Sequence, residues 1–123
     1  MKTKIKHTIQ QWVPETIGLV ASLDKLDDYI ADYLLLHKLA EVCSQKINST
    51  NEEELDFVKE IVKVVNLLYQ SGNQYTRNAI ENQFLSTLSF EESTGNLKKH
   101  IELFPPDLRK AYMKTILDTF RNA

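Results

Sequence analysis

Three ionisable residues, His37, Arg77 and Glu81, occupy positions at which helical periodicity predicts apolar side chains. Arg77 and Glu81 share one face of a predicted helix with Ile80 and Phe84, since residues three or four apart lie on the same side of a helix. His37 lies in the same way among the apolar residues of an earlier helix. An imidazole, a guanidinium and a carboxylate that meet in a helical core are suited to bind an anionic ligand or to transfer protons. The three residues therefore define a candidate ligand pocket.

Two structural interpretations compete with this pocket. Arg77 and Glu81 are four residues apart, so they are also placed to form an ion pair at the rim of the core, with their aliphatic parts covering apolar surface. His37 is equally suited to be a core histidine that forms a hydrogen bond through one ring nitrogen. The pocket requires His37 to lie within one side chain's reach of the Glu81 carboxylate, and the tertiary structure decides this point.

A second candidate surface is acidic. The net charge of −2 conceals an uneven distribution: residues 1–14 carry three lysines and no acid, residues 15–60 carry eleven acidic and four basic residues, and residues 61–123 carry six acidic and eight basic residues. Asp24, Asp28 and Asp32 follow one another at four-residue intervals in the acidic part. We expect this face to dock a basic partner, because complementary charge raises the association rate.

Other signatures of chemistry are absent from the sequence. Asp28 and Asp32 have the spacing to bind a hard cation, but no Glu-x-x-His motif accompanies them. The single cysteine, Cys43, excludes a disulfide within the chain and a cysteine metal cluster. Neither a phosphate-binding glycine loop nor a G-x-S-x-G motif occurs. We therefore expect no metal, no cofactor and no catalytic residue, and we predict that the protein is not an enzyme.

Binding to nucleic acid or to a membrane is not expected. The last predicted helix is basic through Arg109, Lys110, Lys114 and Arg121, but its excess of positive charge is small and no helix-turn-helix signature accompanies it. The longest apolar cluster, residues 34–36, is far shorter than the ~20 residues that a membrane-spanning helix needs. The N-terminal residues lack the apolar core of a signal peptide. The expected location is the cytoplasm.

The composition favours a helical protein. Apolar residues make up 42% and charged residues 26%, while only three glycines and three prolines occur in 123 residues. Periodicity predicts helices over 4–22 with an interruption near Pro14, and over 23–47, 51–70, 75–89, 93–102 and 106–121. Thr50 and Glu53 have the spacing of a capping box, and Gly72 is predicted to end a helix in the left-handed conformation. The sequence thus predicts an all-α fold, a single-domain bundle of five or six helices over residues 1–123.

The second predicted helix is apolar on two sides. Its predicted core stripe has helical spacing and consists of Leu26, Tyr29, Ile30, Tyr33, Leu34, His37 and Ala40. Leu35, Leu39 and Val42 lie on the other side. Either these residues bury a dimer interface or the N-terminal helix and its Trp12 cover them, and we expect the second arrangement.

These observations favour a small, bacterial-type helical protein that acts as a protein-interaction module. Small acidic-to-neutral helical domains of this kind include immunity and antitoxin-like proteins, which cover the surface of a partner. The expected partner is another protein, and the chain itself is expected to be a monomer or a homodimer. The alternative is a ligand-binding or enzymatic pocket in the bundle core, lined by His37, Arg77 and Glu81. An anion that raises the melting temperature of the wild type but not of Arg77→Ala distinguishes the two functions.

Overall fold

The computed structural model describes residues 4–23, 25–90 and 94–121 and shows helices connected by short turns. The helices are α1 (Lys4–Trp12), α2 (Ile17–Ser22), α3 (Asp28–Lys46), α4 (Glu52–Ser71), α5 (Gln74–Ala79), α6 (Ser86–Phe90), α7 (Thr94–Leu103) and α8 (Pro106–Arg121). A 3₁₀ turn (Pro14–Thr16) joins α1 to α2, and a π-helical segment (Ile80–Leu85) joins α5 to α6. No strand occurs in these described ranges. The predicted all-α bundle of five or six helices is confirmed, because α5, the π segment and α6 follow one another without a break and α2 is only a short addition.

The first residue of α3 is set by its capping side chain. The Asp27 carboxylate accepts a hydrogen bond from the backbone N–H of Tyr29 at 2.9 Å, so the helix begins at Asp28. The predicted start near residue 23 is therefore wrong, and the apolar residue Leu26 lies before the helix.

A different residue from the predicted one caps α4. The Asn51 side chain accepts a hydrogen bond from the backbone N–H of Glu53 at 2.8 Å. The expected capping box of Thr50 and Glu53 is wrong. The Glu53 N–H, from which the Thr50 side chain would accept in such a box, already donates to the amide oxygen of Asn51.

The core-facing side of α3 is opposite to the predicted one. Its buried residues are Ala31, Asp32, Leu35, Leu36, Leu39, Ala40 and Cys43. Most of the predicted core stripe is in solvent instead, with Leu26, Tyr29, Ile30, Tyr33 and Leu34 exposed by 39–51%. α3 packs against α4, the π segment and α6. The small residues Ala31, Ala40 and Cys43 favour this orientation, because helix axes approach more closely where the side chains at the contact are small.

α1 contributes to the core through two isoleucines. Ile5 and Ile9 are fully buried, and α1 packs against α3 and α4. The expected packing of the N-terminal helix against α3 is confirmed, but Trp12 is 57% exposed, so its ring is not buried there. Of the three candidates for a dimer interface, Leu35 and Leu39 are buried within the chain itself, and Val42 is partly buried against the core.

The π-helical segment changes which residues of the α5–α6 helix face the core. Ile80, Phe84 and Leu85 are fully buried within it, and Ala79, the last residue of α5, is also buried. A π segment has i→i+5 hydrogen bonds and wider turns, so a uniform rotation of about 100° per residue does not hold across it. The side chains on either side of the segment are therefore not aligned as they would be along a regular α-helix.

Gly72 ends α4 in an extended conformation, with φ −83° and ψ 163°. The predicted left-handed conformation is wrong. Close packing explains the glycine instead, because a Cβ atom at this position would lie 2.4 Å from the carbonyl oxygen of Leu68 and 2.6 Å from the Thr76 side chain.

Cys43 is expected to be unreactive in the folded protein. Its thiol is fully buried, and burial raises its pKa from the ordinary value of 9.0 to about 12, so almost no thiolate forms at neutral pH. At pH 8 we expect a disulfide reagent to label Cys43 at least ~1,000-fold more slowly in the native than in the urea-unfolded protein. The buried thiol can react only when the protein opens, and unfolding costs ~5 kcal/mol or more. Rapid labelling of the native protein would contradict this placement of the thiol.

Candidate functional site

A cleft of about 640 Å³ lies between the end of α4, the α5–π segment and α8. Its charged and aromatic lining consists of Tyr69, Arg77, Glu81, Asp107, Lys110 and Lys114. Three of these side chains are cationic and two are carboxylates. The volume falls in the range of small-molecule sites, which is about 300–1,000 Å³. Of the three residues predicted to form a pocket, this cleft contains Arg77 and Glu81.

Tyr69 connects the two predicted pocket residues. Its hydroxyl donates a hydrogen bond to the Glu81 carboxylate at 2.7 Å, and the Nε of Arg77 donates to the Tyr69 carbonyl oxygen at 3.1 Å. The Arg77 guanidinium also lies over the Tyr69 ring, 6.0 Å from its centre. Arg77 and Glu81 are thus joined through Tyr69, and the described side chains do not form the direct ion pair that their spacing favours.

The environment of the Tyr69 hydroxyl keeps it protonated. Burial, followed by the hydrogen bond to Glu81, raises the pKa of Tyr69 to about 12, and the nearby Arg77 opposes this rise. At neutral pH the hydroxyl is therefore a stable donor to the Glu81 carboxylate. Tyr69 fixes the orientation of both neighbours and is not suited to be a general base.

Sequence reasoning missed the basic contribution of α8 to this cleft. Lys110 and Lys114 line it, as does Asp107, which accepts a hydrogen bond from the Gln70 side chain at 3.1 Å. In the sequence these lysines belonged only to a weakly basic last helix. The single available signal was their four-residue spacing, and nothing in the sequence indicates that α8 packs beside the end of α4.

His37 does not join this cleft. Its Nε2 lies 3.0 Å from a carboxylate oxygen of Glu41, and its Nδ1 lies 3.0 Å from the Thr87 hydroxyl. The side chain is 46% exposed, so His37 is not a core histidine either. The predicted pocket of His37, Arg77 and Glu81 is therefore not assembled, because the side of α3 that carries His37 faces solvent.

The predicted acidic docking face is also not assembled. Asp24 lies outside the described residues, and Asp28 is partly exposed with a carboxylate oxygen 3.9 Å from the Lys6 amine. Asp32 is fully buried and accepts a hydrogen bond from the Tyr75 hydroxyl at 2.8 Å. A carboxyl group is retained in a core only with such a donor. The proposal that Asp32 contacts a partner is therefore wrong.

Tyr75 links the buried Asp32 to two aromatic side chains on the surface. The Tyr75 ring packs edge-to-face on Tyr29 at a centroid distance of 5.0 Å and stacks on Tyr33 at 6.3 Å. Its hydroxyl is held protonated, because burial first and the Asp32 carboxyl second raise the pKa of Tyr75 well above its ordinary value. The two exposed tyrosines are thus supported from below by a fixed aromatic ring.

An exposed apolar surface surrounds these tyrosines. We call it the α3 outer face, and it consists of Leu26, Tyr29, Ile30, Tyr33 and Leu34. Beside it lies a groove of about 570 Å³ whose lining includes Trp12, Tyr29, Leu67 and Tyr75. Trp12 and Leu67 are 57% and 43% exposed. Contiguous apolar surface of this kind marks binding sites more often than isolated exposed leucines do.

Two other kinds of site are absent from residues 4–23, 25–90 and 94–121. No group of three or more histidine, cysteine, aspartate or glutamate residues in these ranges is arranged to hold a metal ion. None of the helices there is long and apolar enough to cross a membrane.

Comparison with known proteins assigns the chain to one family, and the matched range includes both candidate sites. No curated protein and no solved structure matches the chain. The sequence model of one family matches residues 6–121, a range that contains every residue of the cleft and of the α3 outer face. Because this match covers nearly the whole chain, the protein belongs to the family described as Domain of unknown function (DUF7674).

Proposed function

We propose that this protein is a protein-interaction module that docks a partner on the α3 outer face. The observation that carries the proposal is the exposure, by 39–51%, of five large apolar side chains along one side of α3 and its start. Tyrosine and large aliphatic side chains that share one exposed face are typical of the central part of a protein interface. The sequence predicted these residues to be in the core. A partner that covers them would remove this apolar surface from water, which favours association.

The α3 outer face is organised before any partner binds. Tyr29 and Tyr33 pack on Tyr75, and Tyr75 is anchored by its hydrogen bond to the buried Asp32. Side chains that are already ordered lose less conformational entropy on association. Supported tyrosines therefore favour affinity more than freely rotating ones would.

The expected partner is a protein with an apolar ridge flanked by basic side chains. Asp27 is exposed at the start of the α3 outer face, and the neighbouring Asp28 is only weakly paired with Lys6 at 3.9 Å. The surrounding segment, residues 15–60, has eleven acidic and four basic residues. A second copy of this chain would bring two such acidic segments together, which costs free energy, so a basic partner fits better than self-association.

The test compares two substitutions to aspartate, each at an exposed apolar residue. A partner captured by the wild type is purified, and its dissociation constant is measured by titration calorimetry with Ile30→Asp and with Leu117→Asp. Ile30 lies in the centre of the α3 outer face at 51% exposure, and Leu117 on α8 is 58% exposed. We expect Ile30→Asp to weaken binding by about 30-fold or more and Leu117→Asp by less than about twofold.

Raised salt is expected to slow association of the partner and to leave dissociation nearly unchanged. Circular dichroism confirms that both variants are folded, which is expected because both positions are exposed. The proposal fails if Ile30→Asp binds the partner as tightly as the wild type does. It also fails if the wild type associates only with itself through this face.

The immunity- or antitoxin-like role is the narrower form of this proposal. It requires that the captured partner be a toxin or an enzyme whose activity falls when the α3 outer face covers it. Inhibition by the wild type and by Leu117→Asp, but not by Ile30→Asp, is the expected result. A partner whose activity is unchanged on binding would restrict the function to interaction alone.

A further inference from the structure

The cleft at Arg77 contains cationic groups whose charge the described side chains do not neutralise by direct pairing. Arg77, Lys110 and Lys114 line it together, and none of the three forms an ion pair with a carboxylate within residues 4–23, 25–90 and 94–121. Elsewhere in the chain, Lys6, Lys38 and Lys98 each lie within 4.0 Å of a carboxylate oxygen. The cleft is therefore a local concentration of available positive charge.

The two carboxylates of the cleft are engaged by neutral donors. Glu81 accepts from the Tyr69 hydroxyl at 2.7 Å, and Asp107 accepts from the Gln70 amide at 3.1 Å. Hydrogen bonds from neutral groups leave a carboxylate's charge in place but satisfy part of its accepting capacity. Three cations and two acids give the cleft a net positive charge. An anion that approaches Arg77 and the lysines of α8 would therefore be attracted.

Arg77 is held in an orientation that presents its terminal nitrogens. Its Nε donates a hydrogen bond to the Tyr69 carbonyl oxygen, and its guanidinium lies over the Tyr69 ring. The four N–H donors on the two terminal nitrogens are not used in the hydrogen bonds of the described structure. A planar donor fork fixed in this way matches the geometry of a phosphate or carboxylate group.

We propose that this cleft binds the phosphate group of a small phosphomonoester. A phosphomonoester is close to a dianion at neutral pH, so it gains more than a monocarboxylate does from three cations in one cleft. The cleft volume of about 640 Å³ leaves room for the organic part of such a ligand. Glu81 belongs to the π-helical segment, and such segments occur frequently at functional sites. This inference is independent of the interaction on the α3 outer face.

The direct test is an NMR titration of the isotope-labelled protein with glucose 6-phosphate and with inorganic phosphate, at constant ionic strength. Glucose serves as the uncharged control. We expect saturable shifts at the amides around residues 69–81 and 107–114 with both phosphates and none with glucose. Tighter binding of glucose 6-phosphate than of inorganic phosphate indicates a phosphomonoester site, and equal affinity indicates a site for free phosphate. In either case the phosphate chemistry is supported.

Paired substitutions distinguish a built site from general attraction between charges. The double variant Lys110→Gln/Lys114→Gln is expected to raise the dissociation constant by about tenfold or more, and Arg77→Gln by a similar factor, since each removes charge-assisted hydrogen bonds. Lys59→Gln/Lys63→Gln is the matched control, because this exposed lysine pair has the same four-residue spacing on α4. It is expected to change the constant by less than about twofold.

Glu81→Gln gives a result of opposite sign. The substitution removes a negative charge from the cleft but keeps an oxygen that accepts from the Tyr69 hydroxyl, so we expect phosphate to bind several-fold more tightly. Any of three results overturns the proposal. The first is the absence of saturable shifts at these amides, and the second is a loss of affinity in the α4 control pair equal to that in the Lys110 and Lys114 pair. The third is that a short oligonucleotide, titrated in the same way, binds while glucose 6-phosphate does not. None of these results bears on the partner that Ile30→Asp tests.

Discussion

Replacement of Leu35 by alanine is expected to lower the free energy of unfolding by about 3 kcal/mol, whereas the same change at Leu34 is expected to alter it by less than about 0.5 kcal/mol. The two residues are neighbours on α3, with the same side chain and the same helical backbone. Leu35 is fully buried and Leu34 is 41% exposed. Loss of the Leu35 side chain leaves a cavity in the core, and loss of the Leu34 side chain leaves only solvent-exposed surface.

Urea unfolding followed by far-UV circular dichroism measures both changes. Because the intrinsic helix propensities of the two substitutions are identical, the difference between them reports burial alone. Leu36→Ala, at the other fully buried position in the same run, is expected to behave like Leu35→Ala. Equal losses at Leu34 and Leu35 would show that the helix is not oriented as described, and a larger loss at Leu34 would restore the predicted core stripe.

Gly72→Ala is expected to destabilise the protein by about 3 kcal/mol, at the upper end of the range for overpacking. The added methyl carbon would lie 2.4 Å from the Leu68 carbonyl oxygen and 2.7 Å from the Thr76 Cβ. The oxygen belongs to the last turn of α4, so the clash is relieved only by moving backbone. The φ of −83° is itself acceptable for alanine, which makes steric contact the cause of the effect.

Gly18→Ala is the control for this prediction. Gly18 is an exposed residue of α2, and an added Cβ would have no neighbour within 4 Å. Alanine is favoured over glycine within a helix, so we expect a gain of about 0.5–1 kcal/mol. Thermal unfolding of both variants against the wild type separates the two effects by their sign. A neutral or stabilising Gly72→Ala would contradict the close approach of α4 and α5.

The orientation of α3 shows why burial was harder to predict than helix formation. The helix has apolar residues on both sides, so periodicity predicts a helix whichever side is buried. Two tertiary features distinguish the sides. Small residues such as Ala31 and Cys43 favour close contact with neighbouring helices, and the Tyr75 hydroxyl provides the partner that lets Asp32 be buried. Tyr75 is 43 residues away in sequence, and no local pattern connects it to Asp32.

The candidate cleft was predictable only in part. Arg77 and Glu81 interrupt the apolar helix face of Ile80 and Phe84, which predicts that they lie together, and they do share a cleft with each other. The other cations come from α8, and Tyr69 comes from the end of α4, so they join the cleft through packing between helices distant in sequence. His37 can belong to the same pocket only if its side of α3 faces the core, and the acidic face requires Asp32 to be exposed. The observed orientation of α3 exposes His37 and buries Asp32, so one feature of the fold makes both predictions wrong.

Local sequence by itself determined the helical class and several helix boundaries. Pro106 begins α8 and Pro14 follows α1, because the fixed φ and missing N–H of proline act wherever the residue occurs. The tertiary structure alone decided which side of α3 is exposed, which charges meet in the cleft, and why Gly72 is a glycine. These outcomes depend on contacts between segments that are distant in the chain, and burial is a property of the packed bundle and not of any one helix.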